Sequence, residues 1–599
     1  MPPTAESPAE SPPPAAAAPA APFWGLSAKA GSAAGAPPTA REQAICARLE
    51  AFAAGAAGDP AAVATLAAWQ QQLAQDGFHA AAATAAAAWA ALVPDAAEPQ
   101  HLALRHLYRA GYVGRVAALV GAYRRRFGTL PPGPAAPDAA AARRLQRRLA
   151  GSDRPYVARP AAPAAARPPL RVAYVANSTL PYAVGGYATR THSLAVGMAR
   201  QGLAPSVFAR SGFPSRALYG EAATAVPAAL TLAAVPYHFD AAHGPAGRHF
   251  AYLEAAAARL AERAPGDHFD VVHAASNATV GLPALLHAMA AGLPFVYEVR
   301  SLWETTQASR DPGFPATPLY RRQATLERVV GLLADHVLAL TPGLAAEVRG
   351  WGVEPARVTL APNAVDAAAF CPLPPDAGLA RSLGLAPGDL VVGYVGSLVF
   401  YEGLELLVEA VAALAGSHPG LKLLIVGADT PGSLAVAAPL RRLAAARGIG
   451  DRLLMPGRVA FAAVPAYYAL IDIAAFPRRS LPVTELVAPL KPLEAMAMAR
   501  CVVVAEVGGM RDLVQPGVTG LVHRPDDVAS LVAALATAAA DAEQRARLGR
   551  AARAFVVAER SWQRVVADIG AVYAGLGRRP PADWPARAAA AAALLAGLP

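Results

Sequence analysis

Two successive series of short apolar runs, each run joined to the next by a stretch with helical spacing, limit what this chain can fold into. The first series reads LRVAYVAN (170–177), FDVVHAAS, PFVYEVR, DHVLAL and RVTLAPN; the second reads DLVVGYVGS, LKLLIVGAD, RLLMPGRV, IDIAAFPRR, CVVVAEV and GLVHRP. Runs that are apolar on both faces belong to a sheet covered on both sides, and intervening helices supply both the cover and the crossovers of parallel pairing. A Pro-rich connection at 366–388 separates the series. The sequence therefore predicts an α/β protein with two Rossmann-like doubly wound domains, 170–365 and 389–557, facing a cleft. A chain of 599 residues also exceeds what one hydrophobic core fills. RSWQRVVADIGAVYAGL predicts a closing helix within 558–577, followed by a Pro/Arg/Ala tail at 578–599.

Upstream of these domains the pattern changes. Residues 1–40 are Pro, Ala and Ser without a period, so a disordered tail is expected; 41–150 carries helical spacing without strand-like runs, and 151–169 reads as a Pro/Ala/Arg linker. Hydrophobic residues make up 55% of the chain, although many are Ala and bury little area; with charged residues at 16%, a wholly disordered protein is excluded. Cys46, Cys371 and Cys501 match no metal or disulfide spacing, which fits a reducing cytoplasm. The N-terminus lacks a signal-peptide pattern, and no run is apolar enough for a membrane span. The formal charge is +10, with clusters at Arg124–Arg126 and at Arg143, Arg144, Arg147 and Arg148. Solvated helix faces are the first reading of these clusters. Peripheral contact with an anionic surface at the inner membrane face is the second, and nucleic acid ranks last.

The most specific residues lie in the second series. EAMAMARCVVVAEVGGMRDLVQPGVTGLVHRPDD (494–527) resembles the retaining glycosyltransferases of family four, which have the two-domain GT-B architecture. GGYATRTHSLAVGMARQG (185–202), APNAVDAAAF (361–370), VGYVGSLVFYEGLELLVEA (392–410) and the closing helix follow in the family's order, so the resemblance covers about 170–576. It implies transfer of a sugar from a nucleotide-diphosphate sugar to an acceptor hydroxyl with retention. It also implies no cofactor, no metal and no nucleic acid, and a glycan or lipid-linked acceptor in polysaccharide or cell-envelope glycan synthesis. Residues 1–169 resemble no family we can name.

Such a transferase must hold a diphosphate and a ribose and place the anomeric carbon against an acceptor. Glycine turns that expose backbone N–H groups at a helix start suit the diphosphate. Gly185–Gly186 and Gly396 are the candidates, the alternative for each being a simple tight turn. Glu494 resembles the family's ribose-binding carboxylate, which accepts from two hydroxyls, and its alternative is a helix-start carboxylate. The family separates its two acids by seven residues. Here Glu485 precedes Glu494 with eight between, and Leu486 stands at the matching position. Where the family clamps the diphosphate with Arg and Lys, this chain has Ser397 and Glu402, removing a large electrostatic contribution to catalysis. Lys491 is the expected replacement, because the chain has only three lysines (Lys29, Lys422 and Lys491) and this one lies in an apolar stretch before Glu494. Arg478 and Arg479 are second candidates.

In the first domain, Arg300 follows PFVYEV where many family members have His, and Glu298 precedes it by two residues. A charged pair at the end of an apolar strand is either part of the site or a structural ion pair. Arg190 and His192 begin the helix after Gly185–Gly186, for an acceptor or phosphate role or a helix-start hydrogen bond. Asn363 reads as an interdomain turn residue. The sequence thus nominates Lys491, Arg300 and Glu485 for catalysis. The rival readings are a non-catalytic GT-B scaffold that has lost its clamp and, third, a sugar-nucleotide epimerase.

Overall fold

The structure is a computed structural model, and it describes residues 38–56, 59–76, 78–131, 135–149, 169–215, 226–242, 250–429, 435–576 and 583–598. It divides into two compact units. The expected linker but for its last residue, and nearly all of the expected N-terminal tail, lie outside the described residues.

The first unit ends at Ala139 and includes Asp311–Leu319. Its helices are Pro38–Gly55, Pro60–Gln75, His79–Leu92, Ala97–Ala110 and Val113–Phe127. The first begins three residues before the expected helical boundary. Asp59 caps the second, accepting from the Ala61 N–H at 2.9 Å, and Pro60 supplies a preset first turn. Gly111 and Gly128 end the fourth and fifth in the left-handed conformation. Leu49, Leu66 and Leu73 pack against Ala81, Ala82 and Ala85, whose small side chains let helix backbones approach closely.

The second unit holds both expected α/β domains, and the GT-B architecture is present. Its first sheet contains β1 Arg171–Ala176, β2 Ala204–Ala209, β3 Ala229–Leu232, β4 Val235–His238, β5 Val271–Ala275, β6 Phe295–Val299, β7 His336–Ala339 and β8 Val358–Leu360. Their order is β3-β4-β2-β1-β5-β6-β7-β8, parallel except for the β3–β4 hairpin. The sequence reading did not name β2, β3 or β4. The hairpin turn uses Ala233 and Ala234 at φ 48° and 65°, positions where Gly or Asn would have signalled it.

The second sheet contains β9 Leu390–Val395, β10 Leu421–Val426, β11 Leu453–Gly457, β12 Ile473–Phe476, β13 Cys501–Ala505 and β14 Leu521–His523. Its all-parallel order, β11-β10-β9-β12-β13-β14, reverses direction between β9 and β12. Strand order dictates where a crevice opens: beyond the carboxyl ends of those two strands. The closing helix Trp562–Gly575 returns to the first domain, where Val565, Val566, Ile569 and Tyr573 join the core around Val172, Tyr174 and Leu194. Gly197 makes room for it, since a Cβ there would come within 2.9 Å of Val566. Where a tail was expected, Trp584–Ala596 form another helix, because Trp584, Ala588, Ala591 and Leu595 fall on one face and are buried. Among the described residues, no helix is long and apolar enough to cross a membrane.

Candidate active site

The crevice at the second domain's strand reversal gathers residues from four segments. Gly396 follows β9 at φ +151°, and the aliphatic chain of Lys491 lies directly over its α-carbon, where any Cβ would collide. The short turn Phe400–Glu402 brings Glu402 into the interior, 1% exposed. Gly403 fixes that turn at φ +68°, pressed against the Pro477 carbonyl. Arg478 follows β12. The Lys491 ammonium sits 2.7 Å from Glu402 Oε1 and 5.3 Å from the centre of the Tyr394 ring, while Arg478 Nη2 donates to the same oxygen at 3.0 Å. Burial alone would raise the Glu402 carboxyl, but Arg478 and Lys491 together bring it down to about 2. Burial lowers the Lys491 pKa, with Glu402 opposing.

These two cations are placed differently. Arg478 spends Nη1 on the Val487 carbonyl at 2.8 Å and Nε and Nη2 on Glu402, so it anchors the carboxylate. Lys491, with its side chain 17% exposed, gives one hydrogen bond to Glu402 and has further N–H donors for a ligand. Arg479 instead pairs with Glu405 and Asp526.

Glu494 lies one turn along the helix Lys491–Ala497. The Tyr468 hydroxyl stands 3.3 Å from its Oε2 and 3.2 Å from the Lys491 carbonyl, tying the two residues to one support. Burial pushes the Glu494 carboxyl up to about 7, against the Tyr468 hydrogen bond and Lys491. Glu485 accepts from the Gly508 N–H at 2.7 Å and from Ser480 Oγ at 3.1 Å. Gly508 and Gly509 press on the backbone carbonyls of Glu485 and Val487, too closely for any side chain. The segment carrying Glu485 is also fastened to the first domain. Ser309 Oγ accepts from the Val483 N–H at 3.1 Å, Thr341 Oγ1 donates to the Leu486 carbonyl at 2.6 Å, and Asn363 Nδ2 donates to the Ala488 carbonyl at 2.7 Å.

Across the cleft, Gly185 caps the helix Gly186–Arg200. The Cβ position of Gly186 is 3.7 Å from Leu490 Cδ1, so this turn faces the loop that delivers Lys491. A cavity of about 260 Å³ lies between the domains, with Thr189, His192 and Ser193 on one wall and Phe461, Leu490 and Glu494 among the residues opposite. His192 Nδ1 is 2.8 Å from the Tyr237 hydroxyl. Arg190, Glu298 and Arg300 do not line this cavity. They form a separate buried cluster in which Glu298 receives Arg190 Nε at 2.7 Å and Arg300 Nη2 at 2.8 Å. Arg190 also donates to the carbonyls of Ala361 and Pro362 and to Asn363 Oδ1; Arg300 donates to the Tyr187 carbonyl, Thr191 Oγ1 and the Tyr174 hydroxyl.

The sequence reading saw Glu402 as a lost cation and missed that it joins Lys491 to Arg478. Its place in a largely apolar segment just ahead of the helix Leu404–Leu414 was the available signal. Tyr394, Tyr468 and the Gly508–Gly509 turn were also missed, and no spacing rule pointed to them. Among the described residues, no group of three or more His, Cys, Asp or Glu is arranged to hold a metal ion.

Two family models match the two domains in order: Glycosyl transferase 4-like domain over residues 185–364 and Glycosyl transferases group 1 over 379–555. A D-inositol 3-phosphate glycosyltransferase of Actinosynnema mirum is 31% identical over 404 residues, which are 65% of this chain and 92% of that protein. A glycogen synthase of Mycobacterium tuberculosis is 29% identical over 322 residues, 52% of this chain and 70% of its own. Among solved structures, sucrose-phosphate synthase of Thermosynechococcus elongatus superposes with a TM-score of 0.55 at 22% identity, covering 68% of this chain and 98% of its own. HepE of Anabaena in complex with UDP-glucose gives 0.54 at 18%, covering 68% and 100%. These two likenesses show the fold. The chain belongs to the GT-B glycosyltransferases of family four. It is an enzyme of the hexosyltransferase type that draws on a nucleotide sugar, and the scaffold reading is not favoured.

Proposed function

We propose that this enzyme transfers a hexosyl group from a nucleoside-diphosphate sugar to an acceptor hydroxyl with retention, the second domain holding the donor and the first the acceptor. The observation that carries this reading is the Lys491 side chain lying across the Gly396 turn at the strand reversal, which restores a cation to a site whose family clamp is replaced by Ser397 and Glu402. Glu494 accepts from the ribose hydroxyls, and Glu485, at the Gly508 turn, faces the donor sugar. As the glycosidic bond to the diphosphate breaks, Lys491 and backbone N–H groups stabilise the charge on the leaving oxygen. That oxygen takes the acceptor proton, so no side chain need act as a covalent nucleophile. A cytoplasmic enzyme with a glycan or lipid-linked acceptor, serving polysaccharide or cell-envelope glycan synthesis, fits this reading.

The test is incubation of the purified protein with UDP-, GDP- and ADP-sugars, read by mass spectrometry for donor hydrolysis or transfer. Turnover of one donor that collapses in Lys491→Ala supports the reading; turnover indifferent to that change refutes the placement of the diphosphate.

A further inference from the structure

Glu402 stands where a family cation would, yet it is more enclosed than either Arg478 or Lys491. One of its oxygens takes both Lys491 Nζ, at 2.7 Å, and Arg478 Nη2, at 3.0 Å; the other faces Arg478 Nε at 3.3 Å. Gly403 and the Pro477 carbonyl pin the turn that carries it. Arg478 is held in turn by the Val487 carbonyl and lies 5.5 Å from the Tyr401 ring centre. A lysine on a flexible stem, placed beside Gly396 without such a partner, would populate several rotamers. Here its chain is laid along the Gly396 turn and its head is fixed.

We propose that Glu402 is a positioning residue that holds the Lys491 ammonium over the Gly396 turn and keeps it protonated, while Arg478 anchors Glu402. The proposal rests on the reading of Lys491 as the diphosphate's cation and adds to it the device that keeps the cation in place and charged. The groups facing the ammonium are Glu402 from the turn after β9, Arg478 from the loop after β12, Tyr394 from β9, and Glu494 and Tyr468 around its own helix. Burial works against the charge on Lys491, Arg478 repels it, and Glu402 is the carboxylate in direct contact with it. Net charge at the trio is +1, from two cations and one carboxylate, so a diphosphate meets a cation that is held but not neutralised.

With three lysines in the chain, protein labelled with ¹³C at lysine Cε gives few signals, and Lys491→Arg identifies that of Lys491. The experiment titrates this signal in the full chain and in Glu402→Gln, then measures UDP affinity against pH by calorimetry, with GDP or ADP in its place where the donor panel selects that nucleotide. The expected result is a Lys491 midpoint lower in Glu402→Gln by about one pH unit or more, a tenfold change in protonation. The alkaline loss of UDP affinity should move down with it, and Lys491→Arg should lack that loss in either background. An unchanged midpoint overturns the proposal. If Glu402→Gln does not fold, Glu402→Asp serves: a carboxylate one methylene short of the ammonium should lower the midpoint, and an unchanged midpoint overturns the proposal. A midpoint that depends on Glu402 while UDP leaves the Lys491 signal untouched refutes the diphosphate reading and leaves the ion pair standing.

Discussion

Each α/β domain buries one glutamate between two cations, and the two clusters do opposite things. In the first domain Glu298 is 0% exposed and takes two arginines and a tyrosine hydroxyl. Burial would raise its carboxyl, but Arg300 and Arg190 hold it well below the usual range. Arg190 spends its remaining donors on the Ala361–Asn363 segment, and Asn363 reaches the second domain's Ala488 carbonyl. This is a joint, closed on all sides. In the second domain one of the cations is a lysine, partly exposed, on a helix that begins at the crevice. Two forks around one carboxylate make a strut, whereas one fork and one point charge leave N–H donors for a ligand.

The largest effect should come from breaking the strut. Arg190→Ala leaves Glu298 underpaired in the interior, and the unfolding free energy should fall by about 3–5 kcal/mol in urea titration. An unchanged transition would show that the first cluster is no more structural than the second. Next, Lys491→Ala should lower turnover on the order of 100-fold, the cost of one oriented donor to a developing anion, with the melt largely preserved. If it unfolds the protein instead, the contrast between the clusters disappears.

A smaller effect is expected one helical turn away. Glu494→Gln should weaken binding of the donor's nucleoside diphosphate by roughly 1.5–3 kcal/mol, as for a hydrogen bond to a charged group. Burial pushes the Glu494 carboxyl up to about 7, so on its proposed role as an ionised acceptor for ribose the affinity for the donor's nucleoside diphosphate should rise as pH increases through that value. Calorimetry at several pH values should show this rise in the native protein and its absence in Glu494→Gln. Smallest, Gly396→Ala inserts a Cβ under the Lys491 chain; turnover should fall ~10-fold, short of the ~100-fold that an ångström of misplacement can cost.

What the sequence by itself determined follows from local rules. Runs such as LRVAYVAN and CVVVAEV can be satisfied in a doubly covered parallel sheet, and their two series with a Pro-rich break specify two such domains. The scarcity of lysine singled out Lys491, and Glu494 was legible from the motif it shares with the family. The β3–β4 hairpin was not, because Ala233 and Ala234 carry none of the residue preferences of the conformation they adopt. Nor could a chain reading separate Arg300 from Lys491: each is a cation beside an apolar stretch. Glu298 and Arg300, two residues apart, were legible as a charged pair, but only the tertiary structure decided that they close up inside the first domain while Lys491 meets Glu402, 89 residues away, at a crevice set by strand order. Glu402 is the plainest case. Its charge is written in the sequence, but whether that charge repels a diphosphate or steadies its cation depends on where Arg478 and Lys491 come to lie around it, and desolvation makes that placement count.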